Sequence, residues 1–210
     1  MKLRYYQQEA IDATLKWLDT QHTHPLIVLP TGSGKTIVFA TIIKQLFEKN
    51  PGCRVLILAH RQELIGQAKD KLLSVWPQAP CGILAAGLKE FDTESNIVIA
   101  SRDTLATPKR LDSSGHFDYI IVDEAHHVGL EKASRYQKIF ANFKTKQYLQ
   151  PKLFGVTATP YRMGQGFIYG LEEEFFGGVA YQIGIPKLIK DGYLCRLSAF
   201  KVSDDAIIDA

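Results

Sequence analysis

Apolar residues along this chain fall in short, almost unbroken runs: "LIVLP" (26–30), "RVLILAH" (54–60), "CGILAA" (81–86), "NIVIAS" (96–101), "YIIVDEA" (119–125) and "KLFGVTA" (152–158). A strand with one wet face alternates polar and apolar residues, and these runs do not. They read as strands buried on both faces, the mark of a parallel sheet covered by helices. Between them lie stretches with helical spacing: "QEAIDATLKWL", "IVFATIIKQLF", "QELIGQAKDKLL" and "SRYQKIFANF". Strands alternating with helices predict a doubly wound α/β fold with helices on both faces of a largely parallel sheet. In such sheets ligands sit beyond the carboxyl ends of the strands, so chemistry is expected there.

The pattern holds to about residue 160 and then loosens. Residues 161–193, rich in glycine and aromatics, read as a loop or small subdomain packed on the sheet edge. They end in a short helix, "IPKLIKDGYL", stopped by Gly192. Residues 194–210 read as an exit strand and linker.

Composition narrows the class without choosing a function. The chain has 210 residues, 46% hydrophobic and 22% charged, as expected of a globular α/β protein. Its net charge of +3 permits a polyanionic partner without requiring one. Cys53, Cys81 and Cys195 lie far apart with no C-x-x-C spacing, which argues against a disulfide framework or zinc site and for a reducing cytoplasm. No apolar h-region follows Met1 and no run approaches the ~18 residues of a membrane span, so no membrane role is expected.

Chemistry enters with "VLPTGSGKT" (28–36). A strand runs into a glycine-rich turn and then a helix, the context in which such a loop cradles phosphate. Backbone N–H groups around Thr31, Gly32, Ser33 and Gly34 can converge on phosphate oxygens when side chains stay clear. Lys35 then reaches the β- and γ-phosphates, and the Thr36 hydroxyl suits Mg²⁺. The strict motif asks for glycine at 29, where Leu29 stands. That departure disfavours a small-molecule kinase relative to a motor ATPase. The second element is "IIVDEAHH" (120–127), an apolar strand delivering two carboxylates at its end. Successive strand residues face opposite ways, so the two can differ in role. Asp123 suits the metal shell, and Glu124 suits the orientation and deprotonation of an attacking water. Either acid alone would read as a solvated loop residue. Paired with the phosphate loop, they read as catalytic.

Together "TGSGKT" and "DEAH" (123–126) resemble the first RecA-like domain of a superfamily 2 helicase of the DEAH type. Further stretches resemble that family in its order. "LRYYQQEAI" (3–11) is similar to the amino-terminal glutamine motif, which implies that Gln7 reads adenine; Tyr5 stands where the family often has proline and is a candidate to stack on the base. "LAHRQEL" (58–64) and "IASRDTL" (99–105) resemble motifs that grip the nucleic-acid backbone, implying contacts from His60, Arg61 and Ser101. "GVTATPYR" (155–162) resembles the motif coupling nucleotide state to domain movement, implying that role for Thr157 and Thr159, with His126. More narrowly, "AAGLK", "YQKI", "TATPYRMGQGFIYG" and "DGYL" resemble the bacterial DNA-repair helicases of the RadD type. The resemblance implies ATP and Mg²⁺ as ligands, single-stranded or partly duplex DNA as partner, and a monomeric domain. It also implies a second RecA-like domain, absent from these residues, that supplies arginine fingers. Such fingers contribute roughly 10³–10⁵ in rate in related P-loop enzymes, so poor turnover is expected without them.

Three rivals share parts of this pattern: a restriction or phage motor subunit, a nucleotide-gated nucleic-acid-binding module without turnover, and a metabolic kinase. A pure binder has no use for Glu124, and a kinase would not explain "TATP" or "DEAH". Several other features read as structural. His126 and His127 lack zinc-ligand spacing. His22 and His24 read as exposed loop residues. Lys109, Arg110, Lys132, Arg135, Lys138, Lys144 and Lys146 read as a solvated basic face, and Phe167, Tyr169, Phe175, Phe176 and Tyr181 as packing.

Overall fold

The computed structural model describes residues 2–60, 62–129, 134–146, 150–162, 164, 166–170 and 175–196. Helix α1 (Tyr5–Thr20) leads into strand β1 (Pro25–Val28), and the glycine loop then opens helix α2 (Lys35–Lys49). Strand β2 (Val55–Ala59), helix α3 (Gln62–Val75) and strand β3 (Cys81–Ala85) follow. A 3₁₀ turn at Ala86–Leu88 reverses the chain into the short strand β4 (Glu90–Phe91). Then come β5 (Ile97–Ser101), α4 (Arg102–Leu105), α5 (Pro108–Ser113) and β6 (Tyr119–Asp123). After a 3₁₀ turn at Ala125–His127, helix α6 (Arg135–Lys146) returns to β7 (Lys152–Thr157). A short hairpin, β8 (Tyr161–Arg162) with β9 (Gly166–Phe167), precedes β10 (Gly178–Gln182) and α7 (Ile185–Lys190).

The main sheet runs β10-β1-β7-β6-β2-β5-β3-β4, parallel throughout except for β4. Every run singled out as a doubly buried strand is one. The two faces are built by strict alternation along each strand. Ile27, Leu29, Val55, Ile57, Ile97, Ile99, Phe154 and Val156 face the layer holding α1, α2 and α3. Leu26, Val28, Leu56, Leu58, Val98, Ile120, Val122 and Leu153 face the layer of α4 and α6, where Tyr136, Ile139 and Phe143 complete the core. Each such aliphatic side chain contributes about 1.5–3 kcal/mol by leaving water.

Residues 161–184 differ from expectation. The segment does not merely lie against the sheet edge, because β10 is the edge, paired in parallel with β1. Its sequence, "GVAYQ", is only half-buried, and glycine carries no apolar signal. Gly178 packs closely under Trp17: a Cβ there would stand 2.8 Å from the edge of the ring, which would have to shift. His24 also departs from expectation. It lies half-buried with its ring 4.9 Å from that of Phe175, and burial lowers its pKa. Phe176 is buried and Phe175 stacks on Phe140 at 4.4 Å, in keeping with a packing role. The helix ending near Gly192 is α7, and Gly192 takes φ 77°. Of the exit segment, residues 197–210 lie outside the described residues, as does Lys132.

Candidate nucleotide and nucleic-acid site

The register of three neighbouring strands sets the site. Val28 at the end of β1 is level with Thr157 of β7, and Val156 of β7 is level with Asp123 of β6. The phosphate loop and the acidic pair therefore leave the sheet on either side of β7, whose last residue stands between them. The Leu29 N–H donates to the Thr157 carbonyl at 3.0 Å and fixes the start of the loop.

The loop is held from behind and open in front. Ser33 is fully buried; its hydroxyl donates to the Pro30 carbonyl at 2.6 Å. The Ser33 carbonyl accepts from the Tyr6 hydroxyl at 2.7 Å and from Gln7 Nε2 at 3.0 Å. Gly32 and Gly34 take φ 80° and 89°, backbone that side chains disfavour. A Cβ on Gly34 would also stand 2.6 Å from Gln7 Nε2. Gly34 is the N-cap of α2 and offers no side-chain cap. The first N–H groups of that helix are thus left for a ligand, and they favour an anion.

One cavity of about 680 Å³ gathers Gln7, Thr31, Gly32, Ser33, Gly34, Lys35, Thr36, Asp123 and Glu124. These are the residues the sequence assigned to nucleotide, metal and catalysis, now on one wall. A glycine cradle, an uncapped helix N-terminus, a lysine, a hydroxyl and a buried carboxylate form a donor set that fits a triphosphate with Mg²⁺. Lys2, Arg4, Leu64, Gln67 and Lys71 line the same cavity and were not anticipated. Gln67 and Lys71 continue from Leu64 at helical spacing on α3, a signal that exists in the sequence but reads equally as a surface face. Gln7 departs in part from its expected role. Its Oε1 accepts from the Arg4 N–H at 3.0 Å while its amide holds the loop, so one N–H remains for a base. Tyr5 lies away from the cavity; its hydroxyl donates to Asp191.

Asp123 is 9% exposed, and its pKa is raised to about 6 by burial first and the Glu124 charge second. Glu124 has left-handed backbone, φ 49° and ψ 54°, unusual for a residue with a side chain. That conformation lies at the turn from β6 into the 3₁₀ segment. Glu124 is then held from two sides, with Lys35 Nζ at 3.8 Å and His126 Nδ1 at 3.4 Å. His126 Nδ1 also lies 2.9 Å from the Thr157 hydroxyl, which donates to the Thr159 carbonyl at 3.1 Å and accepts the Thr159 N–H at 3.1 Å. With that hydroxyl's proton directed to Thr159, the Nδ1 tautomer consistent with this arrangement donates to the Thr157 hydroxyl, with the Glu124 carboxylate alongside. Burial lowers the His126 pKa, outweighing the nearby Glu124, and favours the neutral ring at pH 7.

His60 and Ser101 line a second groove of about 660 Å³ with Glu63, Ala86, Asp103, Thr104 and Arg110. Ser101 also caps α4, accepting the Thr104 N–H at 3.4 Å. Arg61 lies outside the described residues. A smaller pocket of about 370 Å³, lined by Thr31, His60, Glu124, His126, His127 and Thr159 among others, joins the two regions. Within it the His127 ring stacks on His60 at 4.1 Å and contacts His126 at 4.2 Å, a link that sequence reasoning left unassigned.

Residues 1–162 match the family described as "Type III restriction enzyme, res subunit". The chain belongs to that family. Its fold is that of the first RecA-like domain of superfamily 2 helicases. It is 32% identical to the "Putative ATP-dependent helicase IRC3" of Saccharomyces cerevisiae over 97% of this chain and 30% of that protein. It is 26% identical to the "Type I restriction enzyme EcoAI endonuclease subunit" of Escherichia coli over 96% of this chain and 24% of that one. The chain thus spans about a third or less of the length of these curated relatives. Among solved structures, it superposes with a TM-score of 0.70 and 19% identity on a nuclease-deletion mutant of the Type ISP restriction-modification enzyme LlaGI in complex with a DNA substrate mimic, covering 92% of this chain and 21% of that one. Among the described residues, no helix is long and apolar enough to cross a membrane, and no group of three or more His, Cys, Asp and Glu is placed to hold a metal ion.

Proposed function

We propose that this chain is the ATP-binding motor domain of a DNA helicase or translocase. The observation that carries the reading is the suspension of Glu124 between Lys35 and His126, with His126 bonded onward to Thr157. A nucleotide-binding module needs the cradle alone. A motor needs the carboxylate and a connection from it to the rest of the domain.

ATP is the substrate, held by the 31–36 loop and the α2 N-terminus, with Gln7 and Arg4 toward the base end. Thr36 and Asp123 would hold Mg²⁺, which supplies charge neutralisation at the β- and γ-phosphates. Lys35 exchanges Glu124 for a phosphate oxygen when the triphosphate arrives. The freed Glu124 carboxylate then orients a water and takes its proton. His126, Thr157 and Thr159 pass the change toward His127 and His60, and the strand lies along the His60–Ser101 groove, touching backbone more than bases. DNA is favoured over RNA by the DNA substrate mimic in the LlaGI complex. A DEAH subtype of the RadD kind, a role in DNA repair, a cytoplasmic setting, a monomeric domain and a second RecA-like domain bearing arginine fingers belong to the same proposal. The likeness to EcoAI and LlaGI favours a second reading, the motor of a restriction system, which nuclease activity in the whole protein would support.

Titration with a fluorescent ATP analogue, with and without Mg²⁺, tests the site. Binding that strengthens with Mg²⁺ and weakens at least about tenfold in Lys35→Ala is expected from the loss of a charge-assisted contact. Equal affinity in Lys35→Ala overturns the reading.

A further inference from the structure

Among the described residues, the groove lined by His60 and Ser101 is poor in free positive charge. Two arginines beside it, Arg102 and Arg135, are both tied to Asp103, at 2.8 Å and 2.6 Å. Glu63 adds another carboxylate to the lining. Arg110 is the cation of the lining that has no carboxylate partner among the described residues, and its guanidinium lies over the ring of Phe91 at 4.9 Å. The described cations are too few to hold a polyanion here by charge alone.

Beside the groove stands the β3–β4 hairpin, tied at several points. The Ala86 N–H donates to the Thr104 hydroxyl at 3.0 Å, and the Asp92 N–H to the Ile83 carbonyl at 2.9 Å. Asp92 accepts from the N–H groups of Glu94 and Ser95, both at 2.9 Å, and a Cβ on Gly82 would overlap its carboxylate. Glu90 lies 4.0 Å from Lys69 of α3. Yet this well-tied element exposes two large apolar side chains, Phe91 at 54% and Leu88 at 40%. Apolar side chains left exposed on a well-tied element beside a groove are placed to meet a ligand.

We infer that Phe91, backed by Arg110 and flanked by Leu88, is a base-stacking platform at the rim of the groove, and that its occupant is a single nucleic-acid strand. The guanidinium lies over the ring, and about half of the Phe91 surface remains exposed to a partner. The same arginine can meet a phosphate while the ring meets the adjoining base. Stacking of this kind is tolerant of sequence, because every base has a π-face. It adds a hold that the described charges of the groove do not supply. The inference rests on the reading of the groove as a strand path, and it adds contact to bases where that reading has backbone alone.

The test uses this chain at low salt with two fluorescently labelled oligonucleotides of equal length, one ordinary and one with abasic sites throughout. Phe91→Ala, at an exposed position, is expected to weaken binding of the ordinary strand about tenfold, within the range for losing one stacked base, and to leave the abasic strand unaffected. Phe91→Trp is expected to restore binding, and 2-aminopurine in the ordinary strand to be quenched by wild type but not by Phe91→Ala. Equal loss on both strands, or none on either, overturns the platform while the groove reading survives. Failure of both strands to bind wild type overturns the two together. A change in self-association with strand binding intact marks the pair as a protein-docking surface instead and overturns the inference.

Discussion

At the amino ends of the strands, Arg54 enters β2 with its polar groups largely matched. Its guanidinium donates to the carbonyls of Ser114 and His116 at 2.9 and 3.0 Å and of Thr93 and Ser95, with Phe117 beneath it at 4.7 Å. Its own N–H donates to Asp118 at 2.7 Å, and its carbonyl accepts the Asp118 N–H at 2.8 Å. At the carboxyl ends the same sheet holds a half-satisfied set: Asp123 buried with its pKa raised, Glu124 in left-handed backbone, and a loop whose helix is uncapped. One end joins loops to the sheet, and the other keeps groups in readiness for a ligand. Charge is buried at both. At the amino end the guanidinium is met by four carbonyls of the fold, with only Nε left over. At the carboxyl end the Asp123 carboxylate has the Glu124 N–H as its hydrogen-bond partner, and in the proposed function further compensation comes from the ligand. Departures from local rules gather where function is.

That contrast can be broken from either end. The largest effect is expected from Glu124→Gln, which keeps the shape of the site and removes the base. Steady-state hydrolysis by the whole protein should fall by roughly 10²–10⁴-fold while the thermal midpoint and nucleotide affinity hold. Undiminished turnover would show that Glu124 is not the base. Arg54→Met should do the reverse. Chemical denaturation should show a loss of about 3 kcal/mol, because four carbonyls lose a charged donor and Asp118 loses a nearby cation, while the folded fraction binds nucleotide normally. Loss of affinity without loss of stability would mean that the two ends are not separable.

Asp123→Asn should give the smallest effect and the most specific one. An unfolded aspartate releases its proton near 3.9, whereas Asp123 in the fold retains it to about 6. Between these values the unfolded chain binds fewer protons than the folded one, so stability declines as pH rises through the window. Below it the contribution is full, and above it the ionised carboxylate remains as a cost. A side-chain amide cannot ionise, so Asp123→Asn should raise stability above pH 6 by on the order of 2 kcal/mol and flatten the decline. Without Mg²⁺-nucleotide, melts from pH 4 to pH 8 measure this directly. An unchanged profile would show that Asp123 is not strained in the absence of ligand.

Much of this molecule was legible as written. Continuous apolar runs gave doubly buried strands, since a residue that is apolar at both parities has no wet face. "TGSGKT" and "DEAH" named their residues because their chemistry depends on local spacing: glycines for backbone approach, and two carboxylates at one strand end. What stayed hidden was contact between distant segments. β10 carries no apolar run because an edge strand needs only half its surface covered. Arg4, Gln67 and Lys71 reach the cavity through the packing of α1 and α3 beside α2, and a lone polar residue on a helix looks the same whether it faces solvent or a site. The stack of His127 on His60 joins residues 67 positions apart, 127 less 60, and depends on β6 and β2 lying side by side.

The sequence by itself determined which residues would be buried, where the chain would turn, and which side chains could do chemistry, because those follow from hydrophobicity and local backbone. Only the tertiary structure decided that Glu124 would stand between Lys35 and His126, that Gln7 would hold the phosphate loop as well as face the cavity, and that Phe91 would be left uncovered beside Arg110. Those are distances across the sheet order and its helical layers, and no local pattern encodes them.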